Sequence, residues 1–222
     1  MDPLGAYPAD RAAALSGVPR STVHYWARTN VLIPSLSAER VKLWSFADLM
    51  GLRTIYWLRQ TKDADPSRPD VPRSTMPAVR RALTRLAELK VDLWTEESGP
   101  AIGVTPSGEI FTITSDGVES VHRARVLEGQ YLDLIRPFDT PGMAGPDLHA
   151  PRPHLRIVPG KLAGSPHIAR TRIETLALAA LAGRGFSPDQ INSLYPDIER
   201  AAIREALELE EQLNRNLSAV AA

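Results

Sequence analysis

Cysteine is absent from the 222 residues, so disulfides and thiolate metal sites are excluded, as suits a reducing compartment. No apolar run approaches the roughly 20 residues a membrane-spanning helix needs. The opening MDPLGAYPAD lacks the basic start and apolar stretch of a secretory signal, and a cytoplasmic protein with no membrane partner is expected. A strong charge of one sign is also missing, since 26 Lys/Arg balance 26 Asp/Glu. The signatures of catalysis are missing too. Histidines 24, 122, 149, 154 and 167 stand at no metal-ligand spacing, and no G-x-S-x-G elbow occurs. Glycines 99, 103 and 108 sit in a hairpin pattern and open no helix, so they cradle no phosphate. The expectation is a non-enzyme with no catalytic residue, no metal site and no cofactor.

What remains is an ordinary globular composition, 43% hydrophobic and 23% charged, with charge unevenly placed. Residues 1–60 hold seven Lys/Arg against four Asp/Glu, whereas residues 96–136 hold three against seven. The modest basic excess lies where attraction to phosphates would be useful. Fold class is read as mainly α with a small antiparallel β-meander. Residues 1–95 form a helical head in which STMPAVRRALTRLAELK, from Ser74, reads as a helix over 74–91 capped by Ser74, after a polar, proline-bearing connection at 61–72. Residues 96–136 are a small β-rich segment, with AIGV, EIFTI and GVESV as strands separated by TPSG and SDG. QYLDLI follows as a further strand or short helix.

Residues 137–156, with prolines 137, 141, 146, 151 and 153, read as a stiff, extended linker, and the domain boundary is placed there. Residues 157–222 form a second helical domain. In it, SPDQ at 187–190 starts a helix by itself: Ser caps, Pro takes the first position and Gln bonds back. Ile191 and Leu194 are expected to face inward, and Asp197 to cap a longer helix running to about Asn214.

The run GVPRSTVHYWARTNVLIPS, Gly17 to Ser35, carries the main functional signal. Residues 9–16 make a first helix, Gly17-Val18 turns the chain, and a second helix opens at Pro19, where the missing N–H costs nothing. Val23 and Trp26 face the first helix. Arg20, Ser21, His24, Tyr25 and Arg28 are left on the outer faces, and Asn30 suits a left-handed stop. This is the layout of a helix whose early residues meet base edges while cations meet phosphates.

The same run resembles the second helix of MerR-type regulators, with Gly17, Val18, Thr22, Tyr25, Arg28, Leu32 and Pro34 on matching positions. RVKLWSFADLMGLRTIYWLR, Arg40 to Arg59, is similar to that family's wing and following helix through Lys42, Leu43, Trp44, Ser45, Asp48, Leu49, Leu52, Arg53, Ile55 and Leu58. Ser21 and His24 replace arginines of the family pattern. The resemblance implies a winged helix–turn–helix that binds operator DNA through Arg20, Ser21, Thr22, His24, Tyr25, Arg28, Arg40 and Lys42.

Toward the end, AGSPHIARTRIETLALAALAGRGFSPDQINSLYPDIERAAIREAL resembles a small helix–turn–helix family of antitoxin-like proteins encoded beside PIN-domain ribonucleases. Gly164, Pro166, Ile168, Thr171, Arg172, Ile173, Gly185, Ser187, Ile191, Tyr195, Pro196, Ile203, Ala206 and Leu207 carry it. The glutamates of the last helix disfavour phosphates, which points this unit toward protein contact or toward charges that only solvate an outer face. The two resemblances imply the antitoxin of a VapBC-type module: a homodimer in that family's manner, repressing its own operon and neutralising a PIN-domain ribonuclease through Arg204 or Arg215. The alternative is a MerR-like, effector-responsive transcriptional regulator with no toxin partner, the acidic β segment serving as its pocket.

Overall fold

The computed structural model describes residues 5–60, 73–88, 94–114, 117–119 and 131–218. Strand β1 (Tyr7–Pro8) leads into helix α1 (Ala9–Ser16), whose last five residues are all buried. Gly17 ends α1 at φ 71°, and its N–H donates to the Ala13 carbonyl at 3.0 Å. Only glycine fits this position. A Cβ would stand 2.7 Å from the Phe138 carbonyl oxygen and 2.8 Å from the Gly145 backbone. Val18, fully buried, fills the angle before helix α2 (Arg20–Arg28). Asn30 takes the left-handed conformation at φ 54°, as its side chain allows.

Strand β2 (Leu43–Trp44) pairs antiparallel with β1, setting Tyr7 opposite Trp44. Helix α3 (Phe46–Arg59) starts from a reciprocal cap: Ser45 Oγ accepts from the Asp48 N–H, and Asp48 accepts from the Ser45 N–H at 2.7 Å. Helix α4 (Met76–Glu88) packs on α3. Ser74 does not cap it. Its hydroxyl donates to the Pro106 carbonyl at 2.6 Å and its N–H to Leu58, so it braces α4 against the sheet. The connection at 61–72 and Lys90 lie outside the described residues.

Strands β3 (Ala101–Val104), β4 (Ile110–Thr114) and β5 (Gly117–Glu119) form the expected meander, and β6 (Leu132–Asp133) adds to the free edge of β3. All pairings are antiparallel. Gly108, at φ 85°, closes the TPSG turn.

Residues 137–156 are not an extended linker. Strands β7 (Phe138–Thr140) and β8 (Met143–Gly145) make a hairpin around Pro141-Gly142, with Gly142 at φ 77°. Phe138, Met143, Leu148 and Leu155 are buried. The prolines withhold donors but still offer carbonyls, and the Pro146 carbonyl accepts from Arg53 Nη2 at 2.6 Å. Strand β9 (Leu155–Arg156) then pairs with β10 (His167–Ile168).

Helices α5 (Thr175–Gly183) and α6 (Pro188–Leu194) precede the long α7 (Arg200–Ser218). The SPDQ start forms as read, with Ser187 and Gln190 each accepting from the other's N–H. Two details differ. Leu194 is exposed while Ile191 is buried, and α7 begins three residues beyond Asp197, too far for that residue to cap it. Among the described residues, seven α-helices and four small antiparallel sheets give a mixed but mainly helical chain.

Helix α7 packs on α1, α5, α6, β8, β9 and β10, so head and tail share one core. Glu210 accepts from Arg11 Nη1 and Nη2 at 2.6 and 2.7 Å, and also from the Thr175 hydroxyl. Asn216 Nδ2 donates to the Ala14 and Ala144 carbonyls, both at 2.9 Å. Fully buried Arg53 donates to Leu15, Ser16, Leu134, Ile135, Arg136 and Pro146 carbonyls and ties α1 and α3 to the hairpin. Burial pushes its guanidinium down to about 9 against the pull of Asp147, Asp133 and Asp139. The residues on either side of the expected boundary at 137–156 meet in one hydrophobic cluster that runs through both.

Candidate nucleic-acid interface

Helix α2 is placed by its apolar stripe. Val23 and Ala27, four apart, are buried, and Trp26 packs half-buried against the core. Consequently Arg20, Ser21, His24, Tyr25 and Arg28 stand exposed on the remaining surface. Arg28 lies over the Tyr25 ring, 5.9 Å from its centroid, and among the described residues it takes no ion pair. Arg20 is differently placed. Its Nε meets Asp10 Oδ1 at 2.7 Å, and His24 Nε2 is 4.0 Å from the same oxygen. The basic face thus carries a carboxylate contributed by α1, which the spacing within α2 does not disclose.

Thr22 does not share the exposed face. It is half-buried and lines a cavity of about 390 Å³ with Pro19, Trp26, Tyr56, Arg59 and Pro141. The cavity lies between α2, the end of α3 and the hairpin turn.

Beside α2, the chain from Ser35 to Leu43 closes into a narrow loop. Leu43 N–H donates to Ser37 and the Ser37 hydroxyl to Val41, at 2.9 and 2.7 Å. Arg40 and Val41 are exposed at its tip, and Lys42 is half-buried. The base is fixed, because Ser35 donates from both N–H and hydroxyl to Asp48, at 3.0 and 2.8 Å. Cations on a rigid helix and a pinned loop need little ordering to meet a polyanion.

The tail arginines expected to bind a partner are exposed on α7. Arg215 pairs with Glu211 at 2.8 Å, and among the described residues Arg204 takes no ion pair. Eleven residues of helix separate them by about 16 Å, so they cannot enter one small carboxylate site together. The helix's glutamates do more than solvate a surface. Glu210 holds Arg11, and Glu205 accepts from His154 Nδ1 at 2.8 Å and from its N–H at 2.9 Å. That hydrogen bond raises the His154 imidazole above its ordinary range, partly offset by burial, with Glu199 adding to the rise.

A second polar cluster is not legible from spacing. Burial works to raise the Glu96 carboxyl, but hydrogen bonds from Lys161 and the Arg170 N–H outweigh it and hold the group below its ordinary range. His167 is buried, which lowers it, and its Nδ1 lies 2.9 Å from the Ser165 carbonyl. No group of three metal-ligating side chains forms among the described residues.

Residues 156–209 match a family model described as a protein of unknown function (DUF433). No curated protein and no solved structure matches the chain. The matched stretch runs from Arg156, the end of β9, through β10, α5 and α6 to the first half of α7, and includes the residues that carry the antitoxin-like resemblance. No helix among the described residues is long and apolar enough to cross a membrane.

Proposed function

We propose that the chain is a cytoplasmic DNA-binding repressor with a winged helix–turn–helix head, acting as the antitoxin of a PIN-domain ribonuclease. The observation that carries the DNA reading is the exposed polar and cationic face of α2, set on a fixed core beside the loop that presents Arg40. The ribonuclease reading is supported by the resemblance over the tail and by Arg204 and Arg215 lying open on α7. An arginine placed among the carboxylates of a Mg²⁺-dependent nuclease would form a bidentate, charge-assisted pair.

The test is binding to the chain's own promoter across a salt series. Arg28→Ala with Arg40→Ala should weaken binding and lower the salt slope by about 0.9 for each phosphate no longer neutralised. Unchanged affinity and slope in a folded double variant would remove α2 and its loop as the reader. Co-expression with the product of the adjacent gene, followed by size exclusion and a ribonuclease assay, tests the toxin half.

The cavity against α2 favours a second reading, an effector-responsive regulator with no toxin. Its aromatic walls and Arg59 suit a small planar anion, and Pro19, Thr22 and Trp26 would transmit occupancy to the reading helix. A neighbouring PIN-domain reading frame decides for the antitoxin, and a metabolic or efflux gene for the regulator.

A further inference from the structure

Helix α5, TLALAALAG, contains no charged residue, yet only part of its circumference is covered. Thr175 and Leu178 are buried where α7 packs on it. Leu176 is 54% exposed, and Ala177, Ala180 and Gly183 are exposed on the same side, at helical spacing. Phe186 and Leu194, after α5 and at the end of α6, are exposed as well. A helix that is apolar all round belongs between two partners, and here one is missing.

We infer that a second copy of this chain covers α5, the two α5 helices packing antiparallel about a two-fold axis. The charges at the ends choose this occupant. Glu174 stands immediately before the helix and Arg184 immediately after it, and among the described residues neither takes an ion-pair partner. Antiparallel pairing sets Glu174 of each copy beside Arg184 of the other, about 15 Å apart along the seam. It lays Leu176 across the partner's Ala180–Gly183 surface. Parallel pairing would oppose like charges, and phosphate finds no cation along the face. A two-fold contact needs one self-complementary patch, and a neutral centre with unlike ends supplies it.

The inference rests on the DNA-reader proposal for its purpose, since two half-sites call for a two-fold protein. Its test is separate. Mass measured by light scattering or sedimentation on the full chain, without DNA, should give a dimer at micromolar concentration. Leu176→Asp, at an exposed position, should weaken the dimer by about a hundredfold or more while circular dichroism stays unchanged. Arg184→Glu should weaken it about tenfold, and adding Glu174→Arg should restore most of the loss. A monomeric wild type, a Leu176→Asp variant as dimeric as wild type, or a charge swap that restores nothing would overturn the inference. If Glu174→Arg fails to fold, Leu176→Asp alone decides. A single half-site duplex bound equally by wild type and Leu176→Asp would leave the reader standing whatever the mass shows.

Discussion

Replacing Glu210 with Gln tests whether head and tail are one cooperative unit. Its carboxylate is 3% exposed and receives both terminal nitrogens of Arg11, itself 19% exposed, together with the Thr175 hydroxyl. Removing one member of a buried pair leaves the other charge uncompensated, at about 3–5 kcal/mol; the partial exposure of Arg11 argues for the lower end, about 3 kcal/mol. For a chain of this length that corresponds to roughly 6–12 °C in Tm. All four tryptophans, at 26, 44, 57 and 94, lie in the first half of the chain, so their fluorescence reports the head while residue 210 lies in the tail. If the shared core governs unfolding, the tryptophan transition and the far-ultraviolet dichroism should both shift, and by the same amount. A double-mutant cycle with Arg11→Met should then return a coupling of about 2 kcal/mol. An unshifted tryptophan transition, or a coupling under about 0.5 kcal/mol, would refute the reasoning and restore two independent domains.

Gly17→Ala should destabilise by about 2–4 kcal/mol, from the left-handed φ and from the contact forced on the hairpin backbone; denaturant unfolding indistinguishable from wild type would contradict that placement. The His154–Glu205 pair raises the imidazole above its ordinary value of 6.5, so its contribution is complete below that pH and fades as pH climbs through the raised value. The Tm gap between wild type and His154→Gln should accordingly be wider at pH 6 than at pH 9, and a gap that widens with pH would reverse the assignment. Asp10→Asn frees Arg20 and removes an anion from beside the exposed face of α2. Promoter binding should tighten roughly two- to tenfold at low salt, measured by filter binding; weaker binding would mean that Asp10 holds Arg20 in its productive place.

How much of this is legible in the sequence follows from how far each residue's partner lies along the chain. Ser187 and Gln190 bond to each other within one turn, Asn30 takes a local conformation, and Thr105 to Gly108 close on themselves, so sequence alone finds them. The buried stripe of α2 is likewise local, and it sets the exposed face of the candidate site. Thr22 departs from that face because the wall it joins comes from Tyr56, Arg59 and Pro141. Arg20 looks free in sequence because its partner Asp10 sits on another helix. Leu194 looks inward-facing because apolar character alone cannot tell one covered face from two.

The proline-bearing stretch at 137–156 shows the same limit in its strongest form. Proline at 141, 146, 151 or 153 announces a fixed φ and a missing N–H, which an extended linker and a packed hairpin share. What separates the two is whether the carbonyls find donors. Here the donors come from 93 and 72 residues away, from Arg53 to Pro146 and from Asn216 to Ala144. Arg53 looks in sequence like a lone cation in an apolar helix, and Asn216 like a solvated residue near the helix end. Each is buried because the hairpin needs it, and the hairpin folds because each is there. That mutual dependence places α2, through Gly17, on the same core that α7 completes.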